Sequence, residues 1–153
     1  MEKTMTEARA DALMEDGFHC SQCVFPYAAF RLGMDRDEAL RLSAGLGGGC
    51  FHGDSCGAVT GAAMALSIVF GFDRPNAEEA DKLTEAYMAR KRAGEDLPGF
   101  LAYSPLIIPC FGQHECNTFH HQAVRDVAPG FAARYCASAC RILDSLIGDR
   151  YIR

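Results

Sequence analysis

Apolar residues recur at helical spacing along most of the chain, and no segment shows the strict alternation that is typical of a half-buried strand. The first helical pattern runs from Thr6 to Asp16 and stops at Gly17. The second runs from Cys20 to Leu32 and stops at Gly33. We expect these two segments to pack as an antiparallel pair of helices.

Two further helices begin at capping sequences. Asp35 has Glu38 three residues later and opens a short helix to about Ala44. In the same way Asn76, with Glu79 three residues later, opens a longer helix. This helix ends near residue 93.

An uncharged run of 17 residues extends from Cys56 to Phe72. It is rich in small residues and its neighbours are acidic, so it predicts a buried helix rather than a membrane span. Gly57, Gly61 and Ala65 recur every four residues and form a flat ridge for another helix. Cys56 would then lie at the helix N-terminus, where the helix dipole favours a thiolate.

Glycines and prolines interrupt the pattern between Gly94 and Pro109, which predicts a loop or a set of short turns. Pro129 and Gly130 separate a histidine-rich helix from the closing one. The fold class that follows is all-α, a single-domain helical bundle over residues 1–153 with irregular cysteine-bearing loops.

Composition is consistent with one such domain. About half of the 153 residues are hydrophobic, 49%, so a core can form without a structural metal. The formal net charge is −5. This acidic balance lacks the basic stripe that nucleic-acid binding requires, so we exclude that class of protein.

The eight cysteines fall into four close couples. These are Cys20 and Cys23, Cys50 and Cys56, Cys110 and Cys116, and Cys136 and Cys140. Thiolates select iron–sulfur clusters, zinc or copper(I), and such sites recruit ligands from short spacings. The first residues show no secretory signal, so we expect a cytoplasmic protein with reduced thiols rather than a disulfide framework. Individual members such as Cys140 could instead be small buried hydrophobes.

Spacing indicates which thiols can share a helix face. Cys20 and Cys23 are three residues apart and Cys136 and Cys140 are four apart, so each couple can lie on one face of its helix. A glycine-rich loop, residues 47–55, lies at the couple of Cys50 and Cys56 and permits close backbone approach to a compact ligand. It lacks the lysine of a phosphate-binding loop.

Neither haem attachment nor histidine ligation replaces cysteine ligation as the main expectation from the sequence. Val24 follows Cys23 where the attachment signature of a covalent haem needs histidine, so no covalent haem is expected. Four of the five histidines lie between Cys50 and Cys56 or cluster around Cys116, and they leave mixed Cys/His ligation of zinc or of a Rieske-type iron open. They are His52, His114, His120 and His121. For most of them we expect ordinary hydrogen bonding.

The motif Cys-Gly-Ala-Val-Thr-Gly at residues 56–61 is the most specific in the chain. With His19-Cys20-Ser21-Gln22, the glycines at 45–49, Phe111-Gly112 and the closing cysteine helix, it resembles the C_GCAxxG_C_C family of redox-active proteins. The resemblance covers nearly the whole chain. It places the four family cysteines at Cys20, Cys56, Cys116 and Cys136. The family's domain also occurs in split-Soret cytochromes, where an iron–sulfur cluster accompanies the haems, so the resemblance implies cluster binding here.

The sequence departs from the family pattern because each family cysteine has gained a second cysteine nearby. The additional cysteines are Cys23, Cys50, Cys110 and Cys140. Eight thiolates could hold two four-cysteine clusters, one cluster and a dithiol, or a cluster in transit between alternative ligands. All eight are therefore candidate ligands of one or two clusters, of the 2Fe-2S or 4Fe-4S type.

We accordingly expect an iron–sulfur protein that transfers electrons, or that supplies electrons or sulfur to a larger redox enzyme. No catalytic triad order or nucleotide fingerprint supports an enzyme acting on a small substrate. The alternatives are a zinc- or other metal-binding structural or metallochaperone protein, and a dithiol oxidoreductase using Cys20 and Cys23. The expected partner is a redox protein; no nucleic acid or membrane span is expected, and a homodimer is left open.

Overall fold

All regular structure in the described part of the chain is helical, which confirms the all-α prediction. The computed structural model describes residues 4–47, 50, 56–73, 78, 80–82, 85 and 130–152. The helices are α1 (Glu7–Glu15), α2 (Cys20–Arg31), α3 (Arg36–Ser43), α4 (Gly57–Phe70) and α5 (Phe131–Ile147), with 3-10 turns at Ala44–Leu46 and Gly148–Arg150.

Local signals set the helix ends, as the sequence predicts. The side chain of Thr6 accepts a backbone hydrogen bond at the start of α1, and Asp35 accepts one from the Glu38 amide, at 3.0 Å, at the start of α3. Gly17 and Gly33 follow α1 and α2 with φ of 96° and 102°. Glycine reaches this left-handed conformation without the strain of a side chain, so both helices stop there.

Helix α2 is the centre of the bundle. It packs against each of the other four helices, and most of its residues are buried. The large side chains that fill the surrounding core come from α2, α4 and α5. They are Val24, Phe25, Leu66, Leu143 and Ile147. A residue on the inner faces of α2 is therefore held by packing from several directions.

The small-residue ridge of α4 packs directly on the backbone of α2, as predicted. A Cβ atom at Gly57 would lie 2.9 Å from the amide nitrogen of Ser21, and one at Gly61 would lie 3.0 Å from the Ser21 carbonyl oxygen. Ala65 continues the same ridge and is fully buried. The two helices approach this closely because glycine has no side chain at the contact.

The first turn of α2 is fixed to α3 by side-chain hydrogen bonds. Ser21 Oγ donates to the carbonyl of Ser43 at 2.8 Å, and Gln22 Nε2 donates to the carbonyl of Leu40 at 3.1 Å. The backbone amide of His19 donates to Gln22 Oε1 at 3.1 Å, which caps the helix start. The position of Cys20 within the bundle is thereby determined.

Other predicted segments fall largely outside the described residues. Within the helix predicted from Asn76 to about residue 93, the described positions Glu78, 80–82 and Glu85 are helical. The predicted loop from Gly94 to Pro109 and the histidine-rich helix lie outside the described part. Helix α1 contacts α5 as well as α2, so its environment is wider than the predicted helix pair.

The apolar run that forms α4 is predicted to be a buried helix rather than a membrane span. Among the residues that the structure describes, no helix is both long enough and apolar enough to cross a bilayer.

Candidate functional site

Four cysteine thiols lie between α2 and α5. Cys20 and Cys23 come from the first turn of α2, and Cys136 and Cys140 come from the middle of α5. Each has at most 4% of its surface exposed. The structure thus brings together the two couples for which helical spacing predicts a shared face.

Contacts between α2 and α5 define how the two helices are aligned. Cys136 Sγ lies 3.8 Å from the carbonyl oxygen of Cys20, and Tyr27 Oη lies 2.6 Å from Asp144 Oδ2. Moving forward along α2 therefore corresponds to moving forward along α5. The two helices run in the same direction, although Tyr27 and Asp144 are 117 residues apart in the chain.

The Cys136 thiol is surrounded by sulfur. Hydrogen bonds with the thiols of Cys20 and Cys23, together with full burial, raise the pKa of Cys136 well above its usual value. The Cys20 thiol in turn contacts the sulfur of Met14 at 3.9 Å. Without a bound cation the Cys136 thiol stays protonated, and a metal that binds it would have to displace its proton.

Cys140 has a different electrostatic environment. Burial, and after it the negative charge of Asp144, raise the pKa of the Cys140 thiol well above its usual value. The cations of Arg31 and Arg9 oppose that rise in part. Cys140 therefore lies between the other three thiols of this interface and the carboxylate of Asp144, one turn further along α5.

Cys56 is the N-cap residue of α4, which confirms its predicted place at the start of this helix. It is partly exposed, unlike the four thiols between α2 and α5. The next residue, Gly57, packs so closely on α2 that its Cβ would lie 3.1 Å from Cys20 Cβ. Burial and then the charge of Cys56 raise the pKa of Tyr135 on α5. Cys56 therefore lies beside the starts of α2 and α4 and near α5.

Two helix N-termini meet at this place, since α2 begins at Cys20 and α4 begins directly after Cys56. The first N–H groups of a helix have no acceptor within it, and its dipole is positive at this end. Both effects favour thiolate at these two cysteines and favour an anionic group bound to them.

The remaining candidate ligands cannot be placed in this site. Cys50 is exposed and has a φ of 59°. Cys110, Cys116 and the four histidines near cysteines lie outside the described residues. Their assignment as ligands stays a prediction.

Metal-binding geometry is incomplete in the described residues. Over these ranges, no group of three or more His, Cys, Asp or Glu side chains is arranged to hold a metal ion. The donor chemistry nevertheless fits, because buried thiols close to two helix N-termini suit a thiolate-bound iron centre. Cys20, Cys56 and Cys136 are the described residues that would contribute to such a centre.

A second polar group, which the sequence did not indicate, adjoins the thiols further along α2 and α5. Asp144 accepts a hydrogen bond from Tyr27 and forms an ion pair with Arg31 at 3.2 Å. The guanidinium of Arg31 lies 3.9 Å from the centre of the Tyr27 ring and also approaches Tyr151. The Tyr151 hydroxyl is buried, and burial and then the charge of Asp144 raise the pKa of Tyr151. No local motif marks this group, because its members meet only after the helices pack.

The sequence model of one family, whose description is "Putative redox-active protein (C_GCAxxG_C_C)", matches residues 18–150. The chain belongs to this family. The matched range contains all eight cysteines of the chain, and it begins just before α2. Neither a curated protein nor a solved structure gives a significant match to the chain. The resemblance inferred from the Cys56 motif is thus confirmed at the level of the C_GCAxxG_C_C family.

Proposed function

We propose that this C_GCAxxG_C_C protein binds an iron–sulfur cluster and transfers electrons, either as a carrier or as an accessory of a larger redox enzyme. The observation that supports this most is that Cys136 Sγ contacts Cys20 while Gly57, the residue after Cys56, packs directly against Cys20. Three separate helices contribute one family cysteine each to this region. Iron–sulfur clusters are held by cysteine thiolates, in most cases four.

The family signature supplies the fourth ligand of this proposed centre. Cys116 is the remaining signature cysteine, and it lies in the part of the chain between α4 and α5 that the structure does not describe. The described cysteines would hold one side of the cluster, and Cys116 would hold the other. When bound, the cluster would supply one-electron chemistry.

The surrounding residues of this proposed centre have two tasks. The buried positions of Cys20 and Cys136, 4% and 0% exposed, exclude water from one side. The helix N-termini at Cys20 and Cys56 stabilise the thiolates electrostatically, and the first N–H groups of these helices can donate hydrogen bonds to sulfur. Hydrogen bonding and solvent exposure are two of the factors that set the potential of such a centre.

The exposure of Cys56 indicates where electrons would enter and leave. It is the one partly exposed member of the three described family cysteines. A redox partner would therefore approach the start of α4 rather than the α2 and α5 side. The proposed partner is accordingly a redox protein that docks near Cys56.

The experiment compares iron, sulfide and zinc content in three anaerobically purified proteins: the unmodified chain, Cys56→Ser and Cys50→Ser. Serine keeps the approximate size of cysteine but loses the soft thiolate that iron prefers. We expect Cys56→Ser to lose the cluster or change its spectrum. Cys50, which is exposed and outside the family signature, is the matched control and should retain it. Unchanged iron and sulfide in Cys56→Ser would refute the assignment, and zinc in place of iron would favour a zinc protein.

A further inference from the structure

Cys136 contacts two thiols of α2 rather than one. Its thiol is hydrogen-bonded with the thiols of both Cys20 and Cys23. Its Sγ atom also lies 3.8 Å from the carbonyl oxygen of Cys20. A helical carbonyl points toward the residues three and four positions further along, so this contact places Cys136 beside the turn that joins Cys20 to Cys23.

Cys20 and Cys23 are close neighbours on α2. They are three residues apart in one helix, so their Cβ atoms lie about 5–6 Å from each other on the same face. Their exposed fractions are 4% and 1%, which places both side chains inside the bundle. Either sulfur is thus available on the side of α2 that faces Cys136.

These three thiols do not form a separate metal site. Within the described ranges, no three His, Cys, Asp or Glu side chains are arranged to hold a metal ion. The proposed cluster needs one ligand from α2, in addition to Cys56, Cys116 and Cys136. Helix α2 therefore offers two thiols for one ligand position.

We propose that Cys23 is an alternative ligand of the proposed cluster, which replaces Cys20 on the same iron while Cys136 stays bound. This inference rests on the proposed function, because it concerns the ligands of that cluster. In the exchange the bond from Cys20 to iron breaks and a bond from Cys23 to iron forms. Cys23 gives up its thiol proton and Cys20 takes one up, so no electron is transferred and no further reactant is needed.

Met14 supports the released form of Cys20. The Cys20 thiol donates to the sulfur of Met14 at 3.9 Å, and a thiol can donate in this way only when it is protonated. Both residues are buried. A protonated Cys20 therefore has an acceptor in the core, and its release from iron leaves no unpaired donor.

The test compares iron content, sulfide content and visible spectrum in anaerobically purified variants of the full chain. Cys20→Ala should retain iron and sulfide with a shifted spectrum, because Cys23 takes the vacant ligand position. Cys23→Ala should keep the content and the spectrum of the unmodified protein. The variant with both substitutions should lose the cluster, because no ligand from α2 remains.

Cys140→Ala is the matched control. Like Cys23, Cys140 is a thiol with 1% of its surface exposed, but it lies on α5 and has no part in the exchange. This variant should behave as the unmodified chain. Alanine is used throughout because a polar serine is unfavourable at a buried position.

Loss of iron from Cys20→Ala, with its helical circular dichroism unchanged, would overturn the proposal and leave Cys20 as the sole ligand from α2. Iron retained by the double variant would overturn it as well, since neither thiol would then be a ligand.

A second measurement, the release of iron to EDTA, does not depend on the folding of Cys20→Ala. Cys23→Ala still has Cys20 as a ligand, but a released Cys20 cannot be replaced. Its iron should therefore be lost several-fold faster than that of the unmodified chain or of Cys140→Ala. Equal rates in the three proteins would overturn the proposal.

Iron in the unmodified chain separates this proposal from the proposed function. An unmodified chain without iron would refute the cluster, and the alternative ligand with it. Iron in the unmodified chain and in Cys23→Ala, with none in a folded Cys20→Ala, would refute the alternative ligand alone.

Discussion

Tyr27 donates a 2.6 Å hydrogen bond to the carboxylate of Asp144, 117 residues further along the chain. The same carboxylate pairs with Arg31, which stacks on the Tyr27 ring. Burial, and then the hydrogen bond to Asp144, raise the pKa of Tyr27, so the phenol stays protonated and keeps donating. This contact aligns α2 with α5 and thereby places the thiols of the two helices opposite each other.

Replacing the carboxylate should weaken this alignment. In Asp144→Asn the Arg31 side chain, 12% exposed, keeps its charge but loses its counter-ion. Asp144 itself is 35% exposed, so solvent screening limits the effect to about 1–2 kcal/mol of unfolding free energy. Urea unfolding measures the change, and Asp149→Asn, on an exposed side chain, is the control. Equal midpoints for the two variants would show that the contact is energetically neutral.

The contact between α4 and α2 should not tolerate a methyl group. Gly61→Ala places a Cβ 3.0 Å from the Ser21 carbonyl oxygen and 3.2 Å from the Phe25 amide nitrogen. These are backbone atoms, so the helices must separate, at a cost of about 1–3 kcal/mol. Alanine's higher helix propensity returns at most about 1 kcal/mol. Gly45→Ala, with no atom within 4 Å of its Cβ, is the control in thermal unfolding. An equally stable Gly61→Ala would mean that α2 and α4 can move apart freely.

Local signals account for most of what the sequence predicts correctly about the fold. The cap at Asp35 and the stop at Gly33 act through the backbone within one turn, so they can be read without tertiary contacts. The contact of Tyr27 with Asp144 cannot be found in this way. Its register depends on how α2 and α5 pack, and no spacing within either segment contains that information.

The candidate site likewise has some features that the sequence predicts and others that depend on helix packing. Helical spacing correctly predicts that Cys20 and Cys23 share a face, and the motif after Cys56 places that residue at a helix start. The sequence does not show that the faces of α2 and α5 meet, or that the Asp144 carboxylate one turn beyond Cys140 lies at the same interface. These facts belong to the packed interface, where a thiol changes its pKa through burial and neighbours.

Stability of the reduced, metal-free protein should fall as the solution becomes alkaline. The pKa values of Cys136 and Cys140 are raised in the folded state, whereas thiols of the unfolded chain ionise at about pH 8.5. Below that pH the stabilisation is fully present. Above it the unfolded chain loses protons that the folded chain keeps, so unfolding becomes easier until the folded-state pKa values are reached.

Urea unfolding between about pH 7 and about pH 10 measures this dependence, with a limiting slope of about 1.4 kcal/mol per pH unit for each protected thiol. Cys140→Ala should reduce the slope. Cys50→Ala should leave it unchanged, because that thiol is exposed in the folded protein. A slope that is the same in both variants would contradict the protected state of Cys140.

Removing the metal should leave the helices in place. The core of α2, α4 and α5 is formed by buried apolar side chains such as Phe25, Leu66 and Leu143, which do not depend on a ligand. A structural metal site, in contrast, supplies folding energy directly. We expect helical circular dichroism to change little after gentle anaerobic removal of iron. Collapse of the helical signal would instead assign a structural role to the metal.

The most direct test of the iron–sulfur account is a redox titration of the anaerobically purified protein, followed by visible absorption, with iron and sulfide counted per chain. The account predicts a brown protein that contains both elements. Its absorption should bleach with dithionite and recover on reoxidation in a one-electron step, within the range of about −700 to +450 mV that iron–sulfur centres span. A colourless protein, or a coloured one with no reversible step in that range, would contradict it.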